Sequence, residues 1–154
     1  YIKLDDEGLI VSYIHNSVTE NLGKIGVLIA LKSKADKMIL MDLGKKIAMQ
    51  IAATNPLSIK REDIDQSLLD REKAIFSDQA KESGKPENIL EKIVEGRVEK
   101  FFAESCLLEQ QFIKDPERKV NDLLTEAVAT LGENIIINRF TRYAIGESLN
   151  SQSQ

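Results

Sequence analysis

Hydrophobic and polar positions change period several times along the 154-residue chain. Residues 8–14 set Leu9, Val11 and Tyr13 against Ile10, Ser12 and Ile14, the period of two that predicts a strand. Residues 25–31 predict a second strand, with Ile25, Val27, Ile29 and Leu31 on one face. The polar stretch 15–24 between them, with Asn16, Asn21 and Gly23, predicts a hairpin loop longer than the two-residue ideal. Over 38–53 the period becomes helical. Leu40, Leu43, Ile47 and Ile51 form one apolar stripe, beside a mixed flank of Asp42, Lys46, Met49, Gln50 and Ala53 that could pack against something else. Pro56 ends this helix, because the residue before a proline is pushed out of the α region. Residues 54–61 have no period and read as an extended connector.

Two long helical patterns follow, over 62–83 and 86–105, split by Ser83-Gly84-Lys85-Pro86. Glycine suits the left-handed C′ position that closes one helix, and proline suits the first position of the next. A tight reversal makes the two helices antiparallel neighbours, each roughly 30 Å long for about 20 residues. Ile64, Leu68 and Ile75 are expected to face Leu90, Val94, Val98 and Phe101, with Arg71, Gln79 and Arg97 interrupting the seam. Residues 107–115 read as a partly extended return segment, and 120–131 as a shorter helix with Leu123, Leu124, Ala127 and Leu131 as its apolar set. Residues 134–145 read as the last strand, where Ile135, Ile136 and Ile137 in a row predict burial on both faces. Residues 148–154 read as a polar, disordered tail. The order predicts an α+β fold: a three-stranded antiparallel sheet covered by helices, with an inserted antiparallel helical hairpin. The core subdomain is expected to comprise 1–61 and 107–147, and the insertion 62–106.

Composition narrows the function. Hydrophobic residues at 42% and charged residues at 30% fit a packed domain rather than a disordered chain. A net charge of −4 argues against nonspecific nucleic-acid binding. No apolar run approaches the roughly 18 residues a membrane span needs, and no signal peptide opens the chain, so no membrane partner is expected. Cys106 is the one cysteine, which rules out an intrachain disulfide and fits a cytoplasmic protein. The chain opens on Tyr1 rather than methionine and reads as a piece of something longer.

Candidate chemistry is thin. His15, the only histidine, has no histidine or cysteine near it, so no metal site is expected. Cys106 has no histidine partner in view and reads as a buried or idle thiol. Glu62, Asp63 and Asp65 lead the hairpin, where the helix dipole favours carboxylates without any acid–base role. Gly23-Lys24-Ile25-Gly26 spells the GxxG of KH modules but joins a loop to a strand in an acidic chain. Gly44-Lys45 lacks the spacing of a phosphate-binding loop, so no nucleotide or other cofactor site is indicated. The hairpin charges, among them Lys81, Glu82, Glu91, Lys92, Glu95, Arg97, Glu99 and Lys100, read first as a solvated face and second as a partner-facing arm. What remains is an interaction surface rather than an active site.

Several blocks, in order, resemble one family. They are Tyr13-Ile14-His15 with Lys24-Ile25-Gly26-Val27-Leu28; Ile47-Ala48-Met49 with Ile51-Ala52-Ala53 and Asn55-Pro56; Gly84-Lys85-Pro86 with Glu91-Lys92-Ile93-Val94-Glu95-Gly96-Arg97 and Lys100-Phe101; and Leu107-Leu108-Glu109-Gln110 with Phe112. Together they resemble bacterial elongation factor Ts up to the polar tail. Gln50 stands where many members carry histidine, Gln111 where proline is frequent, and 16–22 exceeds the usual hairpin. The chain lacks the family's Thr-Asp-Phe-Val motif and N-terminal helical module, so it resembles the carboxy-terminal half. The resemblance implies a guanine-nucleotide exchange factor for elongation factor Tu, acting without covalent chemistry. It implies docking through Met49, Gln50, Ala53, Asn55 and Pro56, with Tyr13 and His15 alongside. Two other classes stay open: a structural module that homodimerises through its helical hairpin, and an RNA-binding accessory protein, whose basic stripe is lacking.

Overall fold

The computed structural model describes residues 7–19 and 22–145. The expected tail over 148–154 and the tip of the first hairpin at 20–21 lie outside the described residues. The fold is α+β, and the chain divides into two compact units, residues 1–55 with 122–154 and residues 56–121. The sequence assigned 56–61 and 107–121 to the sheet's subdomain, whereas they cluster with the helical hairpin.

In the first unit, β1 (Gly8–Thr19) and β2 (Leu22–Lys32) form a long antiparallel hairpin, and β5 (Ile136–Ala144) pairs antiparallel with β2. The strand order is β1-β2-β5. The loop expected over 15–24 is largely strand: pairing runs on through His15↔Ile25 and Ser17↔Gly23 to Thr19↔Leu22. The polar run hid this, because ladder hydrogen bonds come from the backbone and do not need apolar side chains. A register shift between Ser17 and Thr19 accompanies it.

Helix α1 (Lys37–Thr54) packs on β1 and β2. The Asp36 carboxylate starts it, accepting from the Met38 N–H at 2.9 Å and the Ile39 N–H at 3.3 Å, the usual N-cap arrangement. Leu40, Leu43, Ile47 and Ile51 are buried as the stripe predicts, together with Gly44, Ala48 and Ala52. These small residues let helix and sheet approach closely. Beneath them lie Val11, Val27, Ile29 and Leu31, all buried. Ile135 and Ile137 are buried but Ile136 is 46% exposed, so the isoleucine run is covered on one face and not on both. Alternation along a strand sends Ile136 away from Ile137. Helix α4 (Val120–Leu131) closes at Gly132, whose φ of 68° is open to glycine without strain.

In the second unit, α2 (Gln66–Lys81) and α3 (Glu87–Ser105) form the expected hairpin. Helix α2 starts later than its pattern suggested. Residues Arg61–Asp63 form a 3₁₀ turn, Ile64 is extended, and Asp65 alone caps the helix, accepting from Ser67 and Leu68. Glu62 and Asp63 therefore belong to the preceding turn. Gly84 is left-handed, with φ 67°, but sits two residues past the C-cap Glu82 rather than at the first position beyond it. Pro86 is the N-cap of α3 rather than its first helical residue.

Ile64, Val94, Val98 and Phe101 lie in the seam as expected, but on α2 Leu69 and Phe76 take the places expected for Leu68 and Ile75. Ile64, Leu69, Phe76, Val94 and Phe101 pack on Val98, Phe102 and Cys106, while Ile75 is 41% exposed. Leu68-Leu69 and Ile75-Phe76 offer two stripes of equal spacing, and the stripe bearing the large Phe76 ring turns inward. Two of the residues expected to interrupt the seam satisfy each other: Arg97 Nη1 donates to Gln79 Oε1 at 2.6 Å.

The connector after Pro56 is tied down by backbone pairing. Leu57 N–H donates to the Ser105 carbonyl at 2.8 Å, Leu107 N–H to Ser58 at 2.9 Å, and Leu108 N–H to Ile59 at 3.0 Å. Arg61 reinforces the hairpin's base. Its Nε donates to Glu109 Oε2 at 3.1 Å and its Nη2 to Glu109 Oε1, while Nη1 and Nη2 reach the two Glu99 oxygens at 3.2 Å. The guanidinium carbon lies 4.4 Å from the Phe102 ring centroid. The return segment holds a short hairpin, β3 (Gln111–Phe112) with β4 (Asp115–Lys119).

Candidate functional site

The expected docking residues gather at the C-terminal end of α1, and the helix stop shapes them. Asn55 adopts the left-handed conformation (φ 46°, ψ 61°) instead of the extended one expected before proline, and its N–H donates to the Ile51 carbonyl at 3.0 Å. Asparagine tolerates this region better than most residues. Thr54 Oγ1 donates to the Gln50 carbonyl at 2.7 Å. These two bonds close part of the last turn of α1 from within.

The structure separates the expected flank into inner and outer members. Ala53 and Asn55 are exposed and Met49 is half-buried. Gln50, expected on the open flank, is fully buried. Pro56 is buried and is the first residue of the second unit.

Tyr13 and His15 belong with this end of α1. A Cβ built on Gly44 would meet Val11, so Val11 points at α1, and alternation places Tyr13 and His15 on the same face. Tyr13 pairs with Val27, which pairs with Arg142 on β5, and Arg142 reaches the Ala52 carbonyl near the helix terminus. The Tyr13 hydroxyl and His15 Nδ1 are hydrogen-bonded at 3.1 Å, and both side chains are half-buried. The end of α1 and the neighbouring strand can therefore offer amide, hydroxyl, imidazole and thioether contacts. Met49 can adapt to an irregular partner surface.

The sequence reading missed Arg142. Its Nε and Nη2 each lie 3.3 Å from the Ala52 carbonyl oxygen. The available signal was indirect. Pro56 has no N–H, so the Ala52 carbonyl cannot receive the ordinary bond from four residues on, and some other donor must serve it.

Cys106 is fully buried, with its sulfur 3.7 Å from Ser58 Oγ, and burial pushes its thiol pKa up, away from a reactive thiolate. Among the described residues no group of three or more His, Cys, Asp or Glu side chains could hold a metal ion, and no helix is long and apolar enough to cross a membrane.

The family profile described as Elongation factor TS matches residues 1–147. The chain is 48% identical over 147 residues to the elongation factor Ts of Bartonella henselae, covering 96% of this chain and 48% of that protein. It is 47% identical over 144 residues to that of Caulobacter vibrioides, covering 94% of this chain and 46% of that protein. With that of Alkaliphilus oremlandii it shares 47% identity over 156 residues, covering 99% of this chain and 69% of that protein. The chain spans about half the length of the first two relatives.

Proposed function

The chain belongs to the elongation factor Ts family, and from that membership we propose that it serves guanine-nucleotide exchange on elongation factor Tu during translation elongation. By the family resemblance the element that disturbs the nucleotide site is the Thr-Asp-Phe-Val motif, which these 154 residues do not contain, so the part assigned to them is docking. The mechanism is linkage. A protein that binds the nucleotide-free form of its partner more tightly than the loaded form weakens nucleotide binding by the same factor. No covalent step is required, and the work takes place in the bacterial cytoplasm.

The observation that carries the docking assignment is the composition of the α1 terminus. Ala53 and Asn55 are exposed there, Met49 is half-buried beside them, and Tyr13 and His15 share the sheet face over which α1 ends. Gln50, fully buried, supports this surface from within. Release of labelled GDP from elongation factor Tu tests the division of labour. The chain is expected to bind nucleotide-free elongation factor Tu while giving only a small part of the stimulation of a longer family member. Full stimulation by the chain contradicts the proposal.

Self-association through the hairpin is the second reading, favoured by the exposure of Ile75 and Ile89 on α2 and α3. Sedimentation across a range of concentrations separates a homodimer from a monomer that binds elongation factor Tu one to one.

A further inference from the structure

The end of α1 depends on a side chain from the opposite end of the sequence. The last four carbonyls of a helix have no partners within it. One way to close a helix uses two backbone bonds, one of them from the residue after the left-handed position. Here that residue is Pro56, which has no N–H to give. The simpler closure remains, a single bond from Asn55 N–H to the Ile51 carbonyl, and it leaves the Ala52 carbonyl without a backbone donor. Ala52 is 2% exposed, so water does not readily replace one. Arg142 does so from β5, with Nε and Nη2 both 3.3 Å from the Ala52 oxygen. Its charge also sits at the negative end of the helix dipole. The guanidinium thereby ties the terminal turn of α1 to the third strand, in the row Tyr13↔Val27↔Arg142.

We propose that Arg142 is a positioning residue for docking: by holding the Ala52 carbonyl it fixes the turn that presents Met49, Ala53 and Asn55 to the partner. The inference rests on the docking assignment above. Arg142 itself need not touch the partner. It lowers the cost of binding by keeping the turn in one conformation beforehand.

The test is a double-mutant cycle read as the affinity of the chain for nucleotide-free elongation factor Tu. Arg142→Met keeps much of the stem and removes both donors, and is expected to weaken binding about tenfold, the scale of a lost charged hydrogen bond. Arg142→Lys, which retains one cationic donor and guards against misfolding of the methionine variant, is expected to fall between the two. Asn55→Gly keeps the left-handed turn and removes the docking side chain. In that background Arg142→Met is expected to cost less than about twofold, because the two residues act through one turn. Amide exchange at 53–55 is expected to quicken in Arg142→Met and not elsewhere in α1. Equal losses in both backgrounds, or full affinity in folded Arg142→Met, overturn the inference while leaving the docking assignment intact. Full affinity in Asn55→Gly removes the docking turn itself, and the role of Arg142 with it.

Discussion

Gly44 of α1 rests so close to Val11 of β1 that a Cβ at position 44 would stand 2.6 Å from Val11 Cγ2 and 3.0 Å from Val11 Cβ. Leu31 Cδ1 would be 3.4 Å away. Val11 is branched at Cβ and has little freedom to turn aside. Gly44→Ala should therefore destabilise the chain despite alanine's helix preference of about 1 kcal/mol, because overpacking of this kind costs about 1–3 kcal/mol. A lower urea midpoint with an unchanged slope is the expected result. A higher midpoint would show that the helix can shift without loss.

The α2 side of the hairpin seam makes a paired prediction. Phe76→Ala removes a ring packed on Val98, Phe102 and Cys106, and for a half-buried ring should cost about 2 kcal/mol. Ile75→Ala, on the outward stripe, should cost no more than about 0.5 kcal/mol. Chemical denaturation of the two variants side by side checks the order. The reverse order would restore the seam read from the sequence.

The hairpin's base should be sensitive to acid. Hydrogen bonds from Arg61 hold the Glu109 carboxyl below its usual pKa, against the opposing effect of burial. A carboxylate depressed in the folded state contributes stability above its unfolded pKa of about 4.3 and loses it as pH falls through the lower folded value. Asp65, held low by hydrogen bonds from Ser67, contributes in the same direction. Glu109→Gln should thus lower stability near neutrality and flatten its decline between about pH 5 and 3. An unchanged acid limb in thermal melts would remove Glu109 as a contributor.

Gln50→Ala should act on the fold before it acts on any partner. The side chain is fully buried, so truncation leaves a cavity and removes its polar interactions, a loss of about 1–3 kcal/mol. Thermal melting of the free chain is the direct measurement. An unshifted midpoint would mean that the amide is not anchored inside.

These cases mark what could be read in the linear chain. Helix α1 was legible because its apolar stripe and its stop before Pro56 lie within one stretch of sequence. The α+β class and the hairpin reversal were legible for the same reason. The α2 side of the seam was not, because Leu68-Leu69 and Ile75-Phe76 satisfy the same spacing on two adjacent stripes. The extension of the first strands was hidden by polar residues whose contribution is backbone pairing. The burial of Gln50 and the reach of Arg142 to Ala52, 90 residues away, depend on tertiary packing that no local pattern encodes. The sequence placed the candidate site at the end of α1 but did not show that Gln50 faces inward.

The claim that the α1 terminus docks on elongation factor Tu is tested most directly by calorimetry with Ala53→Lys. Position 53 is exposed, and a cation near a helix C-terminus is favourable, so the variant should melt within a degree or two of the parent. The long side chain should block close approach of a partner and weaken binding to nucleotide-free elongation factor Tu by at least about tenfold, about 1.4 kcal/mol. Affinity equal to that of the parent chain would place the docking surface elsewhere.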